Sequence, residues 1–193
     1  MTTGRRGEPD GLLDLRRLDL TPGAGAEADV PVTLPVVTMG GQPYTPEPAG
    51  VIVRVDVGSS GSGLGLRLRF GAALTGPCQT CLAPSRVVIA VDTREYQALG
   101  RNAQAAGDDD FDCEYLHEPA RMDLDVAAWA RDAMVEAIPM SIFCRPDCRG
   151  LCARCGADLN TGPCACGDDA TDPRWAALEA LRERLTGESD DPL

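Results

Sequence analysis

The feature that most constrains the fold of this chain is a cluster of cysteines near its C-terminal end. Six of its nine cysteines are Cys144, Cys148, Cys152, Cys155, Cys164 and Cys166. At the centre, Cys152 and Cys155 form a C-x-x-C pair followed by Gly156, so two thiolates can point at one ion while the amides of the turn donate to sulfur. Glycine relieves such a turn because it accepts a positive φ. The cluster predicts a small segment held together by metal or by disulfides.

Metal and disulfides remain the two alternatives for this cluster, because an even number of cysteines permits either. Arg5 and Arg6 near the N-terminus are followed by polar residues and not by the apolar stretch that is typical of an export signal. Clustered C-x-x-C pairs in a reducing compartment are typical of metal sites. We therefore predict a structural Zn²⁺ site and a cytoplasmic protein.

The ligand set is left open by the sequence, because tetrahedral zinc takes four ligands and six candidates are present. Cys152 and Cys155 are the strongest candidates. The preferred completions are Cys148 and Cys166, and the alternatives are Cys144 and Cys164. A cluster of two metals sharing all six thiolates is a further arrangement.

A second thiol pair, Cys78 and Cys81, follows Gly76-Pro77 in the N-terminal part of the chain. A second metal site there would need two more ligands, for which Cys113 and His117 are the candidates. A redox-active or purely structural thiol pair is the simpler interpretation.

Alternating apolar residues predict antiparallel strands over residues 51–57, 64–70 and 86–96. The glycine- and serine-rich stretch 58–63 is expected to be a hairpin loop. An amphipathic helix is predicted near 124–138, capped by Asp123 or Asp125 and limited by Pro139. Its apolar face is expected to cover the sheet, and a second amphipathic helix is expected to open at Asp172-Pro173.

These elements predict an α+β protein: an antiparallel sheet covered by a helix, then a small zinc knuckle and an amphipathic helix. The expected segments are a loose N-terminus (1–10), a β-rich core domain with its packing helix (11–140), a cysteine-rich zinc-binding module with the C-terminal helix (141–186) and a polar tail (187–193).

The net charge of −12 argues against binding nucleic acid through bulk electrostatics, which needs a basic face. No apolar stretch is long enough to cross a membrane, and we expect no DNA partner. The local basic group for RNA or partner contact is Arg145, Arg149 and Arg154. A second patch on the predicted strands is Arg54, Arg67, Arg69 and Arg86. A solvated sheet face explains this second patch equally well.

Several motifs in order along the chain resemble the YceD family. They are Asp14-Leu15-Arg16-Arg17-Leu18, Cys78-Gln79-Thr80-Cys81-Leu82, the run 131–140, Cys144-x3-Cys148-Arg149-Gly150-Leu151-Cys152-x2-Cys155-Gly156, Cys164-x-Cys166 and Asp172-Pro173-Arg174-Trp175. The resemblance implies a role in accumulation of the large-subunit ribosomal RNA without a known catalytic activity. Family members often lie beside the gene for a large-subunit ribosomal protein, and some keep only the C-x-x-C-L pair.

The expected function is therefore a non-enzymatic ribosome biogenesis factor that supports 23S rRNA accumulation. Its expected partner is a large-subunit ribosomal protein or a pre-ribosomal particle. The alternatives are a thiol-dependent redox enzyme using Cys78 and Cys81, and a zinc-ribbon regulatory binding protein, whose DNA affinity the acidic composition disfavours.

Overall fold

The computed structural model describes residues 11–99, 112–117, 122–166, 175, 177–178 and 180–182. The chain divides into two compact units, Met1–Cys148 and Arg149–Leu193. Residues 141–148, which the sequence analysis grouped with the C-terminal module, fall in the first unit. The N-terminus 1–10, most of the acidic stretch before Cys113 and the tail 187–193 lie outside the described residues.

The first unit is built mainly from β-strands. They are β1 (Leu12–Asp14), β2 (Gly25–Thr33), β3 (Val37–Met39), β4 (Gln42–Pro46), β5 (Gly50–Ser59), β6 (Gly63–Pro77), β7 (Pro84–Ala98), β8 (Leu116–His117) and β9 (Asp123–Asp125). One 3₁₀ turn covers Leu15–Arg17, and helix α1 covers Val126–Ala137.

The larger sheet has six strands in the order β2-β5-β6-β4-β3, and β7 pairs with the other side of β6. β6 organises it, because β5 pairs with residues 64–69, β4 pairs with residues 74–75, and β7 runs along all fifteen residues of β6. All of these pairings are antiparallel. A small second sheet has the order β1-β9-β8.

The two faces of the larger sheet follow the alternation that the sequence predicts. Val53, Val55, Leu66 and Leu68 point inward and are at most 2% exposed. On the outer face, charged side chains lie opposite one another across β2, β5, β6 and β7. The strand predictions were correct in place but too short, since β6 continues to Pro77 and β7 starts at Pro84.

The predicted α+β fold, with a helix covering the sheet, is wrong: the described chain is mostly β-sheet. Helix α1 contacts β7, β2 and β1, and β7 and β2 are edge strands on opposite sides of β6. A twelve-residue helix is only about 18 Å long, which is too short to cover a six-stranded sheet. Its five buried side chains are Val126, Trp129, Ala130, Ala133 and Met134.

The ends of α1 agree with the sequence. Asp125 is the N-cap, and its carboxylate accepts a hydrogen bond of 2.8 Å from the amide of Ala128. Only part of the second predicted helix is described: residues 177–178 and 180–182 are helical. Trp175, Leu178 and Leu181 are roughly half exposed there, and Asp172-Pro173 lies outside the described residues.

Replacing Trp129 by alanine is expected to destabilise the first unit by about 3–5 kcal/mol, the usual cost of removing a buried large side chain. Trp129 is 2% exposed, and its ring stacks on Tyr115 with centroids 5.8 Å apart. Urea unfolding followed by circular dichroism measures the loss. Val135→Ala on the exposed side of the same helix is the matched control and should change stability by less than about 1 kcal/mol; equal effects of the two substitutions would contradict the described packing.

Candidate metal centres

Tetrad A, defined as Cys78, Cys81, Cys144 and Cys148, brings four sulfur atoms within 4.8 Å of one another in the first unit. Cys78 and Cys81 lie in the loop between β6 and β7, and Cys144 and Cys148 lie in the segment after α1. The loop closes through Cys78 N–H donating to the Ala83 carbonyl (2.7 Å) and Leu82 N–H donating to the Cys78 carbonyl (3.0 Å). Tertiary structure thus joins residues that are more than sixty positions apart in sequence.

The segment that carries Cys144 and Cys148 is attached to the loop through Ile142. The amide of Gln79 donates to the Ile142 carbonyl (3.0 Å), and the Ile142 amide donates to the Gln79 side-chain oxygen (3.2 Å). The Ile142 side chain is 2% exposed. On the loop side, the hydroxyl of Tyr44 donates to the Pro77 carbonyl (2.8 Å), so both halves of tetrad A are fixed by contacts other than the sulfurs.

The sulfur spacing of tetrad A fits one tetrahedral ion. Cys78 Sγ lies 3.8 Å from Cys148 Sγ, and Cys81 Sγ lies 3.5 Å from Cys144 Sγ. A Zn–S bond of about 2.3 Å gives an edge of about 3.8 Å for a tetrahedron of sulfurs. The observed distances match that edge and are far longer than the roughly 2 Å bond of a disulfide.

Ionisation within tetrad A is uneven. Burial raises the pKa of Cys78, but hydrogen bonds from the Thr80 hydroxyl and from the amides of Thr80, Cys81 and Cys144 outweigh it and lower that pKa to about 5. The hydrogen bond with Cys81, followed by burial and the neighbouring thiols, raises the pKa of Cys144 to about 12. Four thiolates at this spacing repel one another, and a bound dication relieves that repulsion.

Thr80 is placed to support both halves of tetrad A, because its hydroxyl oxygen lies 3.3 Å from Cys78 Sγ and 3.1 Å from Cys148 Sγ. We expect Thr80→Val to weaken zinc binding at tetrad A about 10–100-fold, the usual cost of losing a group that orients a ligand. Competition with a chromophoric chelator measures the affinity. Thr80→Ser keeps the hydroxyl and serves as the control; equal affinities of the valine and serine variants would show that the hydroxyl has no such role.

Tetrad B, defined as Cys152, Cys155, Cys164 and Cys166, forms a second group of four sulfurs in the second unit. Its first pair lies in a tight turn, in which the Gly156 amide donates to the Cys152 carbonyl (2.9 Å) and the Cys152 amide donates to the Ala157 carbonyl (2.8 Å). Gly156 has a φ of 72°, as the sequence pattern suggests. Cys164 Sγ lies 3.4 Å from Cys152 Sγ.

The second pair of tetrad B is brought back to the first by Asn160. The Asn160 side-chain oxygen accepts from the Arg149 amide (2.8 Å), while its amide group donates to Asp158 Oδ1 (2.7 Å). Leu159 N–H donates to the Gly150 carbonyl (2.9 Å). These bonds reverse the chain direction before Cys164.

Tetrad B shows the same uneven ionisation as tetrad A. Amide groups of Cys155 and Arg154, together with the thiols of Cys164 and Cys155, lower the pKa of Cys152 to about 6. The hydrogen bond with Cys155 and then burial raise the pKa of Cys166 to about 12. A four-sulfur group with a thiolate already favoured is suited to a thiophilic cation.

The six cysteines singled out in the sequence are divided between the tetrads. Cys144 and Cys148 join Cys78 and Cys81, and the other four form tetrad B. The completions predicted from the sequence for a metal site at Cys78 and Cys81 were Cys113 and His117. Cys113 is instead buried with its amide donating to Gln97 Oε1 (3.1 Å), and His117 Nε2 lies 3.3 Å from Asp125 Oδ2. One signal in the sequence could have separated Cys144 and Cys148 from the cysteines of tetrad B. These two are four positions apart, whereas the cysteines of tetrad B form a C-x-x-C pair and a C-x-C pair.

The three arginines of the predicted contact group belong to two different units. In the first unit, Arg145 lies 3.4 Å from Asp147. In the second unit, Arg154 donates to the Cys166 carbonyl at 3.3 Å, while Arg149 and Arg154 both line a cavity of about 340 Å³ beside tetrad B. Arg149 and Arg154 therefore border the cysteines of tetrad B.

Three arginines of the second predicted patch are neutralised by carboxylates on neighbouring strands. Their ion pairs are Arg54–Asp29 (3.1 Å), Arg67–Asp92 (2.5 Å) and Arg69–Asp56 (2.6 Å). Arg86 lies further along β7 and makes no ion pair with any residue that the structure describes. For Arg54, Arg67 and Arg69, the geometry supports a solvated sheet face whose charges are paired with one another.

The structure defines a class of protein in which a β-rich scaffold carries two groups of four cysteines, each able to hold a metal ion through sulfur alone. Every described cysteine is a free thiol. The model of the family described as "Large ribosomal RNA subunit accumulation protein YceD" matches residues 66–182, which include both tetrads. The chain belongs to the YceD family, as its motifs predicted.

Relatives match most of the chain or about a third of it. An uncharacterized protein of Mycobacterium tuberculosis (strain H37Rv) is 31% identical over 180 residues, covering 92% of this chain and 83% of that protein. The chloroplastic large ribosomal RNA subunit accumulation protein YCED homolog 1 of Arabidopsis thaliana is 34% identical over 71 residues, covering 36% of this chain and 22% of that protein. Its Zea mays counterpart is 41% identical over 63 residues, covering 31% of this chain and 22% of that protein.

No solved structure matches this chain. Within the described residues, none of the helices has the length and apolar character that crossing a membrane requires.

Proposed function

We propose that this chain is a non-enzymatic ribosome biogenesis factor that supports 23S rRNA accumulation in the cytoplasm and uses two structural zinc sites. The observation that carries the proposal is the pair of four-cysteine groups inside the region that matches the family named for large ribosomal RNA subunit accumulation. Tetrad A would hold one Zn²⁺ and tetrad B a second.

Zinc is the preferred ion because tetrahedral sets of four cysteines are typical of structural zinc. When all four positions are filled by thiolates, no position remains for a water molecule or a substrate. Such a site orders the chain and supplies no Lewis-acid chemistry, which supports a binding role over a catalytic one. The thiol redox alternative is less well supported, because Cys78 and Cys81 face Cys144 and Cys148 as prospective ligands.

The partner that fits this charge pattern is a large-subunit ribosomal protein or a pre-ribosomal particle. A chain of net charge −12 is attracted to basic proteins and repelled by naked RNA. Three outer-face arginines of the sheet, Arg54, Arg67 and Arg69, are already paired with carboxylates. Contact with rRNA would therefore be local, through Arg145, Arg149 or Arg154, within a complex held mainly by protein.

The test is the ratio of large- to small-subunit rRNA in cells depleted of this protein and supplied with variants. We expect the ratio to fall on depletion and to recover with the wild-type chain and with Cys113→Ser, whose cysteine belongs to neither tetrad. Cys81→Ser/Cys144→Ser and Cys152→Ser/Cys155→Ser should fail to restore it. An unchanged ratio on depletion would overturn the proposed function. Full rescue by both tetrad variants would show that the function does not need the metal sites.

A further inference from the structure

Strand β7 has one open edge. Within the part of the chain that the structure describes, β7 pairs along its fifteen residues with β6 only, and no other backbone hydrogen bond reaches residues 85–97. Residues 141–146 run near its start, but a groove of about 300 Å³ lined by Arg86 and Val87 lies between them. A long edge strand with unpaired amides and carbonyls is a template for another strand.

The outer face of β7 is self-complementary when two copies are laid antiparallel. Its exposed residues alternate as Arg86, Val88, Ala90 and Asp92. If two copies pair about Ile89, each residue faces the one equally far on the other side of position 89 in the second copy. On the outer face, Arg86 then faces Asp92 and Val88 faces Ala90, and on the inner face Val87 faces Val91. Opposite charges and apolar pairs meet directly, which stabilises a strand pair.

Neighbouring registers lack this complementarity. Centring the pair on Ala90 places Arg86 opposite Arg94, and centring it on Val88 places Asp92 opposite Pro84 and Arg86 opposite Ala90. In the register about Ile89, Asp92 would accept from the partner's Arg86 in addition to its own Arg67, to which it is bonded at 2.7 Å. One carboxylate can accept from two guanidinium groups.

The other long outer strand, β2, is protected against the same pairing. Its exposed positions include Glu27 and Asp29, whose like charges would meet in a second copy, and Pro31, which has no amide hydrogen to donate. Charges of one sign and proline are the usual protection of edge strands. β7 carries charges of both signs and has proline only at its first residue, Pro84.

We propose that two copies of this chain form a symmetric dimer by antiparallel pairing of their β7 edges about Ile89. The dimer is isologous, so the Arg86–Asp92 contact occurs twice. Val88, which is 69% exposed in the single chain, faces Ala90 of the second copy. This inference is independent of the role in rRNA accumulation.

The test uses charge reversal in the full zinc-loaded chain, followed by sedimentation equilibrium over a concentration series. The wild-type chain should sediment as a dimer. Arg86→Asp and Asp92→Arg should each raise the dimer dissociation constant at least about tenfold, because each homodimer then contains two like-charge contacts. An equimolar mixture of the two variants should recover the dimer, since both contacts are then opposite in sign.

Arg54→Asp, which alters the same outer face on β5 away from the edge, is the matched control and should dimerise like the wild type. A wild-type chain that stays monomeric, an Arg86→Asp variant that dimerises normally, or a mixture of folded variants that stays monomeric would each overturn the proposal. Because Arg86 makes no ion pair with the described residues, Arg86→Asp should fold, and it decides the question even if Asp92→Arg lowers the yield.

Discussion

Cys152→Ser/Cys155→Ser is expected to abolish the ordered structure of residues 149–166 while leaving the first unit folded. Across 151–166 the structure buries no side chain, so the segment has no apolar core of its own. Ordering sixteen residues costs on the order of 1–2 kcal/mol each, and the hydrogen bonds around Asn160 cannot offset that cost in water. Structural zinc supplies folding free energy on the order of 10 kcal/mol in segments of this kind.

The measurement is an amide NMR spectrum of the zinc-loaded chain. Resonances of 149–166 should collapse into the unfolded range in the double variant, while those of β5, β6 and β7 keep their positions. Zinc analysis should fall from two ions per chain to one. Unchanged amide shifts in 149–166 would show that the segment folds without its metal, and Cys113→Ser, with two ions retained, controls for the loss of a thiol.

Cys144→Ser/Cys148→Ser is expected to release residues 139–148 from the loop between β6 and β7 and to remove one zinc ion per chain. Among the contacts described above, the buried Ile142 side chain and the two hydrogen bonds between Ile142 and Gln79 would still attach this segment. Those contacts contribute a few kcal/mol at most, far less than the metal. The sheet should stay folded, because its buried core includes Val53, Val55 and Leu68, which the substitutions leave unchanged.

Limited chymotrypsin digestion measures this release directly. Chymotrypsin cuts after large apolar residues, and Phe143 lies next to the substituted Cys144. We expect cleavage after Phe143 to accelerate at least about tenfold in the variant, because cleavage follows the population of the open segment. The matched comparison is Cys152→Ser/Cys155→Ser, in which cutting should accelerate after Leu151 and Leu159 and remain slow after Phe143. Equal digestion of the wild type and the Cys144→Ser/Cys148→Ser variant would contradict the role of tetrad A.

Local patterns predicted the parts of the fold that depend on neighbouring residues. Alternation located β5, β6 and β7 because side chains of a strand alternate between a buried and a solvated face. The helix cap at Asp125 and the turn at Gly156 were also predicted, because the conformation of each depends on about four neighbouring residues. The helix was predicted at the right place, but its role in the fold was predicted wrongly. An amphipathic pattern indicates that one face of a helix is buried, and it does not indicate which element packs against that face.

The sequence by itself determined the three longest strands, β5, β6 and β7, that the cysteines are suited to metal, and which family the chain belongs to. Only the tertiary structure decided how the cysteines are grouped. Cys144 and Cys148 lie with Cys78 and Cys81, and Cys164 and Cys166 lie with Cys152 and Cys155. The physical reason is that spacing constrains only ligands contributed by one turn, such as Cys152 and Cys155. A pair from another part of the chain is chosen by whatever packing brings it near, here the bonds between Gln79 and Ile142.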